Sequence, residues 1–258
     1  MSPGSSTESY PAFAHIGLRE NPEKILNQVT CPDRDSNPGH LVSQPDALTV
    51  TPQEGLSSSK WRDAIKMNAN VAPVRSLHGR SLDGFRCGYC NEIETLAHVL
   101  GSCQHGELLR YSRHHNISKL IAQALRKRSF EVHEEVHCVA SEGGGIRRAD
   151  IVALDKTNSK GIILDPTVRF EMSQTQPSEV NKEKQQIYEP TIPYFREKYQ
   201  MEGTWEVHGL MIGARGTIPR STVNTIKTFG THDIIPKIIT SSIKGSVAIL
   251  KNHLYGIS

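Results

Sequence analysis

Residues 146–188 contain the most strand-like part of the chain, with the sequence IRRADIVALDKTNSKGIILDPTVRFEMSQTQPSEVNKEKQQIY. Two nearly continuous apolar runs, Ile151–Leu154 and Gly161–Phe170, are separated by a polar turn. Such runs are typical of central strands that are covered on both faces of a sheet. Asp150 opens the first run and Asp165 interrupts the second. The stretch therefore predicts two neighbouring strands that each carry one carboxylate.

These two carboxylates indicate a site for a divalent cation. An ionised Asp inside a covered strand is unfavourable unless a cation or hydrogen-bond donors meet it. Lys184, on the helix predicted to follow, would add the positive charge that suits phosphodiester cleavage with Mg²⁺ or Mn²⁺, and Lys182 is an alternative. A salt bridge between Asp150 and a neighbouring arginine would instead give that carboxylate a purely structural role.

Length and charge set broad limits on the protein. The 258 residues are enough for one core with a small accessory module, and the net charge of +3 indicates no particular class of partner. No apolar run approaches the length of a membrane span, and the N-terminus lacks the pattern of a signal peptide. We therefore expect an intracellular protein with reduced thiols and no membrane partner, nuclear if functional.

The N-terminal part of the chain differs in composition from the rest. Residues 1–80 hold eight of the fourteen prolines and show no sustained periodicity, which predicts a region mostly of low order with a short helix at Trp61–Met67. The remaining predicted domains are a metal-binding segment at residues 81–106, a basic linker helix at 107–129, an α/β core at 130–218 and C-terminal helices at 219–258.

Four metal-ligand residues are closely spaced in the segment RCGYCNEIETLAHVLGSCQH, namely Cys87, Cys90, His98 and Cys103. A CxxC turn lets two thiolates bind one ion, and a His and a Cys from a short helix can complete a tetrahedral shell. Four protein ligands leave no open position, which indicates structural Zn²⁺ rather than catalytic Zn²⁺. His105 is an alternative ligand, and a helical hairpin with free cysteines is the alternative without metal.

The segment Glu107–Arg128 combines an apolar stripe with many basic side chains. Its apolar residues recur at helical spacing, which predicts an amphipathic helix. The residues predicted to contact nucleic-acid phosphates are Arg110, Arg113, Lys119, Arg126, Lys127 and Arg128, and His114 and His115 belong to the same basic surface. A solvated charged face without a partner is the alternative.

The segment FEVHEEVHCV alternates between apolar and polar residues. This pattern predicts a half-buried strand with Phe130, Val132, Val136 and Cys138 on one face, together with Glu134 rather than Glu135. Further predicted elements are a strand at Trp205–Gly213 and helices at Ser178–Tyr188, Pro219–Phe229 and Asp233–Leu254. The order of elements predicts an α/β fold with a mixed sheet flanked by helices.

The order and spacing of these motifs resemble the C-terminal part of the polyproteins of site-specific non-LTR retrotransposons with a restriction-enzyme-like endonuclease. The resemblance covers Leu77 to Leu210. The matching elements are a CCHC knuckle at Cys87, Cys90, His98 and Cys103, a V-x-x-E element from Val132 to Glu135, Arg148-Ala149-Asp150 followed after fourteen residues by Asp165, and Lys184-x3-Tyr188. Ala149 replaces a proline of the family pattern, and Thr167 stands where a standard Asp-x-Lys nuclease has its lysine.

The resemblance implies a restriction-endonuclease-like core of the PD-(D/E)xK type that nicks target DNA. Its implied catalytic residues are Asp150, Asp165, Lys184 and Glu135, with Lys184 reaching the site from a helix. The implied cofactors are Mg²⁺ or Mn²⁺ at Asp150 and Asp165 and structural Zn²⁺ in the knuckle, and the implied partners are target DNA and the element RNA. The sequence lacks the adjacent Asp pair of a polymerase, so we expect a fragment without reverse transcriptase. An inactive nucleic-acid-binding module or a transposon relic are the alternatives.

Overall fold

The structure is a computed structural model that describes residues 47–49, 56–77, 85–141, 143 and 145–257. Its helices are α1 (Ser58–Asn68), α2 (Leu96–Gly101), α3 (Glu107–Lys127), α4 (Gln176–Tyr188), α5 (Ile192–Tyr199), α6 (Arg220–Thr228) and α7 (Ile235–Tyr255). Its strands are β1 (Ala47–Thr49), β2 (Glu131–Val139), β3 (Ile146–Asp155), β4 (Lys160–Arg169), β5 (Thr204–Gly213) and β6 (Thr217–Pro219). Among these residues, no helix has the length and apolar character needed to cross a membrane.

The centre of the fold is a four-stranded sheet in the order β2-β3-β4-β5. β2 and β3 are antiparallel, as are β3 and β4, whereas β4 and β5 are parallel. A parallel pair requires a crossover, and helices α4 and α5 provide it. The predicted mixed sheet flanked by helices is therefore confirmed. A small second sheet pairs β1 with β6, and its strands were not predicted.

Apolar side chains cover both faces of the four-stranded sheet. On one face, Ile151 and Leu164 belong to a cluster that includes Ile121 of α3 and Ile239 of α7. On the other face, β3 and β4 pack against α4 and α5, where Phe195 is fully buried. Helix α5 was missed because Pro190 and Pro193 were taken as the end of α4, whereas Pro193 lies in the first turn of α5. Proline is tolerated in the first turn of a helix, where its missing N–H has no intrahelical partner.

The region predicted to be of low order, residues 1–80, lies largely outside the described residues. Within it, the predicted Trp61–Met67 helix is confirmed as part of α1, which begins where the Ser57 side chain accepts a hydrogen bond from the Lys60 amide. Ala64 and Met67 are buried in the core. This helix therefore buries apolar surface against the rest of the chain, and the low order predicted for the remainder of residues 1–80 stays a prediction.

The apolar side chains of strand β2 lie on one side of the sheet before Glu135 and on the other side after it. Phe130 and Val132 pack against the cluster beneath α3, whereas Val136 and Cys138 belong to the cluster beneath α4 and α5. Between them Glu135 has a φ of +55°, a left-handed conformation that breaks the regular alternation of a strand. The prediction that these four apolar residues share one face is therefore wrong.

Candidate functional site

Three carboxylates lie in a row across the sheet. In β2 and β3, the pairs Glu134–Ile151 and Val136–Ala149 flank Glu135 and Asp150. In β3 and β4, Asp150 and Asp165 each lie one residue beyond the pair Ile151–Leu164. On the fourth strand, Gly209 pairs with Asp165 and has no side chain to cover it. The strand pairing itself therefore brings together the three acids that the sequence had singled out.

Asp165 is the most buried of the three and has contacts on both of its oxygens. Lys184 Nζ lies 3.1 Å from Oδ2, the Tyr188 hydroxyl lies 3.0 Å from the same atom, and Thr167 donates a 2.8 Å hydrogen bond to Oδ1. Burial and the nearby charge of Asp150 raise the pKa of Asp165, and Lys184 and Thr167 oppose that effect. Of the alternatives Lys182 and Lys184, the latter lies at Asp165.

Lys184 reaches Asp165 because α4 lies very close to β5. The Gly209 amide donates a 2.9 Å hydrogen bond to the Asn181 side chain. A Cβ atom at Gly209 would lie 2.8 Å from Lys184 Cγ and 2.8 Å from the Val180 carbonyl oxygen, so only glycine allows this approach. Lys182, two residues earlier on the helix, is exposed.

Asp150 and Glu135 form a second group with a histidine from α3. His114 Nε2 lies 3.3 Å from Asp150 Oδ2, and ligand atoms of His114, Glu135 and Asp150 all lie within 4.8 Å of one another. The hydrogen bond to Asp150 raises the pKa of His114, against the opposing effect of burial. Arg148 pairs with Glu135 at 2.8 Å. Two carboxylates and an imidazole are a donor set that suits a divalent metal ion.

The sequence placed His114 only in a basic surface and missed its position at the acids. A signal was present, because His114 precedes Ile117 by three residues and Ile121 by seven and so continues the apolar stripe of α3. A residue on that stripe faces the sheet. His115, next to it in the chain, is exposed.

The left-handed backbone decides which glutamate of β2 joins the acids. Strand alternation had favoured Glu134, which instead pairs with Arg126 at 2.7 Å. The positive φ of Glu135 turns the strand at this point, and Glu135 lies with Asp150 and His114. Left-handed conformations of non-glycine residues are costly and cluster at functional sites.

We expect Glu135→Val to lower the free energy of unfolding by about 1–3 kcal/mol, because a β-branched side chain is poorly accommodated at positive φ. Glu135→Gly should stay within about 1 kcal/mol of the wild type, since glycine adopts this φ readily. Glu134→Val is the matched control, and loss of its partly exposed ion pair should cost less than about 1 kcal/mol. Urea unfolding measures the stability of all three variants. Equal stability of the two Glu135 variants would contradict the inference that the positive φ at this position strains a β-branched residue.

The four predicted zinc ligands come together at one point. Cys87 Sγ lies 3.7 Å from Cys103 Sγ, Cys90 Sγ lies 3.1 Å from His98 Nε2, and all four ligand atoms lie within 4.8 Å of one another. Tetrahedral zinc with Zn–S bonds of about 2.3 Å would hold two sulfurs about 3.8 Å apart. The donor atoms and their spacing therefore fit a zinc ion, and we call residues 85–103 the knuckle.

Helix α2 orients His98 within the knuckle. The Thr95 side chain caps this helix by accepting a 3.0 Å hydrogen bond from the His98 amide. Burial lowers the pKa of His98, which favours the neutral imidazole that binds metal, and raises the pKa of Cys103 to about 11, which a bound cation would reverse. The alternative ligand His105 stacks on the Tyr89 ring at 3.7 Å and is not among the clustered ligand atoms.

Buried polar contacts fasten the knuckle to the rest of the fold. Glu94 of the knuckle pairs with His253 of α7 at 3.0 Å, and both are buried. Arg113 of α3 donates hydrogen bonds to the Leu100 carbonyl at 3.1 Å and to the Ser246 hydroxyl at 2.8 Å. Arg113 is 3% exposed, so it holds two helices together and is not part of an accessible basic surface as the sequence had suggested.

The other five predicted phosphate-binding residues differ in accessibility. Lys119, Lys127 and Arg128 are exposed. Arg126 is exposed and also pairs with Glu134, and Arg110 is half-buried and donates to the Cys103 carbonyl. Among the described residues, no acid pairs with Lys119, Lys127 or Arg128, and these exposed cations lie in the C-terminal half of α3 and at the residue after it.

Comparison with known proteins gives one distant relationship. No family model matches the chain. The chain is similar to the retrovirus-related Pol polyprotein from type-1 retrotransposable element R2 of Popillia japonica, with 23% identity over 212 residues. The match covers 79% of this chain and 42% of that polyprotein, so the chain corresponds to less than half of its relative's length. The similarity supports a relationship to non-LTR retrotransposon proteins.

Proposed function

We propose that this chain is a retrotransposon-derived, metal-dependent endonuclease fragment that nicks DNA, with a restriction-enzyme-like core of the PD-(D/E)xK type. The observation that carries the proposal is the row of Glu135, Asp150 and Asp165 on three adjacent strands, with Lys184 Nζ 3.1 Å from Asp165. The similarity to an R2 Pol polyprotein supports the same class of protein. Action on genomic DNA would make the nucleus its site of action.

The carboxylates of Asp150 and Asp165, joined by Glu135, would hold Mg²⁺ or Mn²⁺ through oxygen. Such an ion, when bound, polarises a phosphate and lowers the pKa of a bound water molecule. Lys184 supplies a fixed positive charge that stabilises the negative charge developing on the phosphate. Thr167 and Tyr188 hold the Asp165 carboxylate in one orientation, so little reorganisation is needed when substrate arrives.

Two lysines on one helix provide a matched test of this proposal. We expect the zinc-loaded full chain to nick supercoiled plasmid when Mg²⁺ or Mn²⁺ is added. Lys184→Ala should slow nicking about a hundredfold, because a positive charge at the reacting phosphate is lost. Lys182→Ala, which changes an exposed lysine, should nick at the wild-type rate.

The failures of this test are informative. Equal nicking by both lysine variants would remove Lys184 from the mechanism. Absence of nicking by the folded, zinc-loaded wild type would contradict the endonuclease, and retained binding of nucleic acid would then favour an inactive binding module. A chain with neither activity would be a transposon relic.

The exposed cations Lys119, Lys127 and Arg128 are proposed to contact DNA phosphates. Each phosphate contact releases counterions, so the logarithm of the binding constant falls with the logarithm of salt concentration by about 0.9 per contact on duplex DNA. The triple alanine variant should therefore bind duplex DNA more weakly and reduce this slope by about 2–3. Fluorescence anisotropy from low to physiological salt measures the slope. An unchanged slope would show that these three cations do not contact DNA phosphates. Lys182→Ala again serves as the control.

A further inference from the structure

We propose that His114 is a metal ligand and that it makes the site selective for a transition ion such as Mn²⁺ over Mg²⁺. This inference rests on the proposed function, because it concerns the same catalytic centre. It adds a ligand from α3, outside the motifs that the acids and Lys184 belong to. Its ligand partners are Asp150 and Glu135.

The position of His114 is fixed by the packing of α3 on the sheet. The helix packs on the sheet through the same stripe that holds Ile117 and Ile121, which are buried. The His114 side chain is 31% exposed and Asp150 is 12% exposed, with 3.3 Å between Nε2 and Oδ2. An imidazole nitrogen on a packed helix and a carboxylate on a central strand are rigidly held, as a metal site requires.

The acids divide into two sets with different partners. Asp165 is already engaged by three side chains of the protein, Lys184, Tyr188 and Thr167. Ligand atoms of Asp150, Glu135 and His114 lie instead within 4.8 Å of one another, and Arg148 also pairs with Glu135. Two carboxylates 4.8 Å apart or less repel each other, and a shared cation removes that repulsion. The free capacity for a metal is therefore greatest at His114, Glu135 and Asp150.

The donor set determines which ion is preferred. Mg²⁺ favours oxygen ligands and keeps much of its water shell, whereas imidazole nitrogen suits first-row transition ions. Mn²⁺ accepts both carboxylate oxygen and imidazole nitrogen. One nitrogen among the oxygens therefore shifts the preference from Mg²⁺ toward Mn²⁺, and loss of that nitrogen should affect Mn²⁺ more than Mg²⁺.

The test is direct measurement of Mn²⁺ binding to the zinc-loaded full chain. Electron paramagnetic resonance of free Mn²⁺ gives the bound fraction, and competition with Mg²⁺ gives the relative affinity. We expect His114→Gln to weaken Mn²⁺ binding about tenfold or more while changing Mg²⁺ affinity less than about twofold. His115→Gln, at the exposed neighbouring histidine, should bind both ions as the wild type does. Unchanged Mn²⁺ affinity in folded His114→Gln would overturn the inference.

A measurement on the unmutated protein makes the result independent of variant folding. Electron spin echo spectra of Mn²⁺ bound to the wild type should show coupling to a directly coordinated ¹⁴N nucleus. Absence of that coupling would overturn the inference even if His114→Gln unfolds.

Plasmid nicking separates this inference from the proposed function. Mg²⁺-dependent nicking without nitrogen coordination of Mn²⁺ would keep the endonuclease and remove the role of His114. Nitrogen-coordinated Mn²⁺ that is lost in His114→Gln, in a wild type that never nicks, would keep the metal site and remove the endonuclease.

Discussion

The variant Asp165→Asn is expected to nick DNA at least about a thousandfold more slowly than the wild type, with little change in stability. The rate falls because the carboxylate proposed to bind the metal is replaced by an amide, and that carboxylate is also the group that Lys184 and Tyr188 contact. Stability changes little because two effects oppose each other. The amide removes a charge that is 4% exposed beside Asp150, and it also removes the acidic partner of Lys184. In metal-free buffer the melting temperature should therefore stay within a few degrees of that of the wild type.

Plasmid nicking and thermal unfolding of the same preparations check both halves of this expectation. Asp155→Asn is the matched control, because Asp155 is the last residue of β3 and an asparagine can accept the same backbone hydrogen bonds from the turn that follows. That variant should nick and melt as the wild type does. Nicking by Asp165→Asn at the wild-type rate would show that the activity comes from a contaminant or from other residues.

Removal of zinc is expected to have the second large effect. An ion present at a thousandfold its dissociation constant contributes about 4 kcal/mol to the folded state. For a chain of this size that corresponds to a fall in melting temperature of about 8–16 °C on chelation. Cys90→Ser should cause a similar fall and lose the bound zinc. Because Glu94 and Arg113 connect the knuckle to α3 and α7, the loss should extend into the main core and appear as one cooperative transition.

Thermal unfolding with and without chelator, together with zinc content by mass spectrometry, tests this expectation. Cys138→Ala is the control, since Cys138 is buried beneath α5 and far in sequence from the clustered ligands. It should retain one zinc ion per chain. Zinc-free wild-type protein with an unchanged melting temperature would show that residues 85–103 hold their structure by packing alone.

Local sequence patterns predicted much of this fold. The apolar runs around Asp150 and Asp165 became β3 and β4, and the alternation after Phe130 became β2, because burial of apolar side chains dictates these periods. The spacing of the cysteines and His98 anticipated a cluster that forms within some twenty residues. The predictions that succeeded concerned features set by residues close together in the sequence.

The predictions that failed depended on contacts between distant parts of the chain. The φ of Glu135 reversed the face of half a strand, and no composition rule indicates a left-handed glutamate. Arg113 was placed at the surface because its burial is decided by Ser246, 133 residues away. His114 was assigned to a charged face because the strand it meets is formed by residues that follow it in the chain. Tertiary packing overrides local preference at these positions.

The attachment of the knuckle to α3 has a consequence for where a nick would fall. Helix α3 starts at Glu107, four residues after the last zinc ligand, and reaches the acids at His114. Seven residues of α-helix span about 10 Å, which equals about three base-pair steps of duplex DNA. Since the buried pair of Glu94 and His253 holds the knuckle against α7, α3 would set a fixed distance between nucleic acid bound at the knuckle and the proposed cleavage site. The DNA strand would therefore be nicked at a constant distance from nucleotides bound at the knuckle.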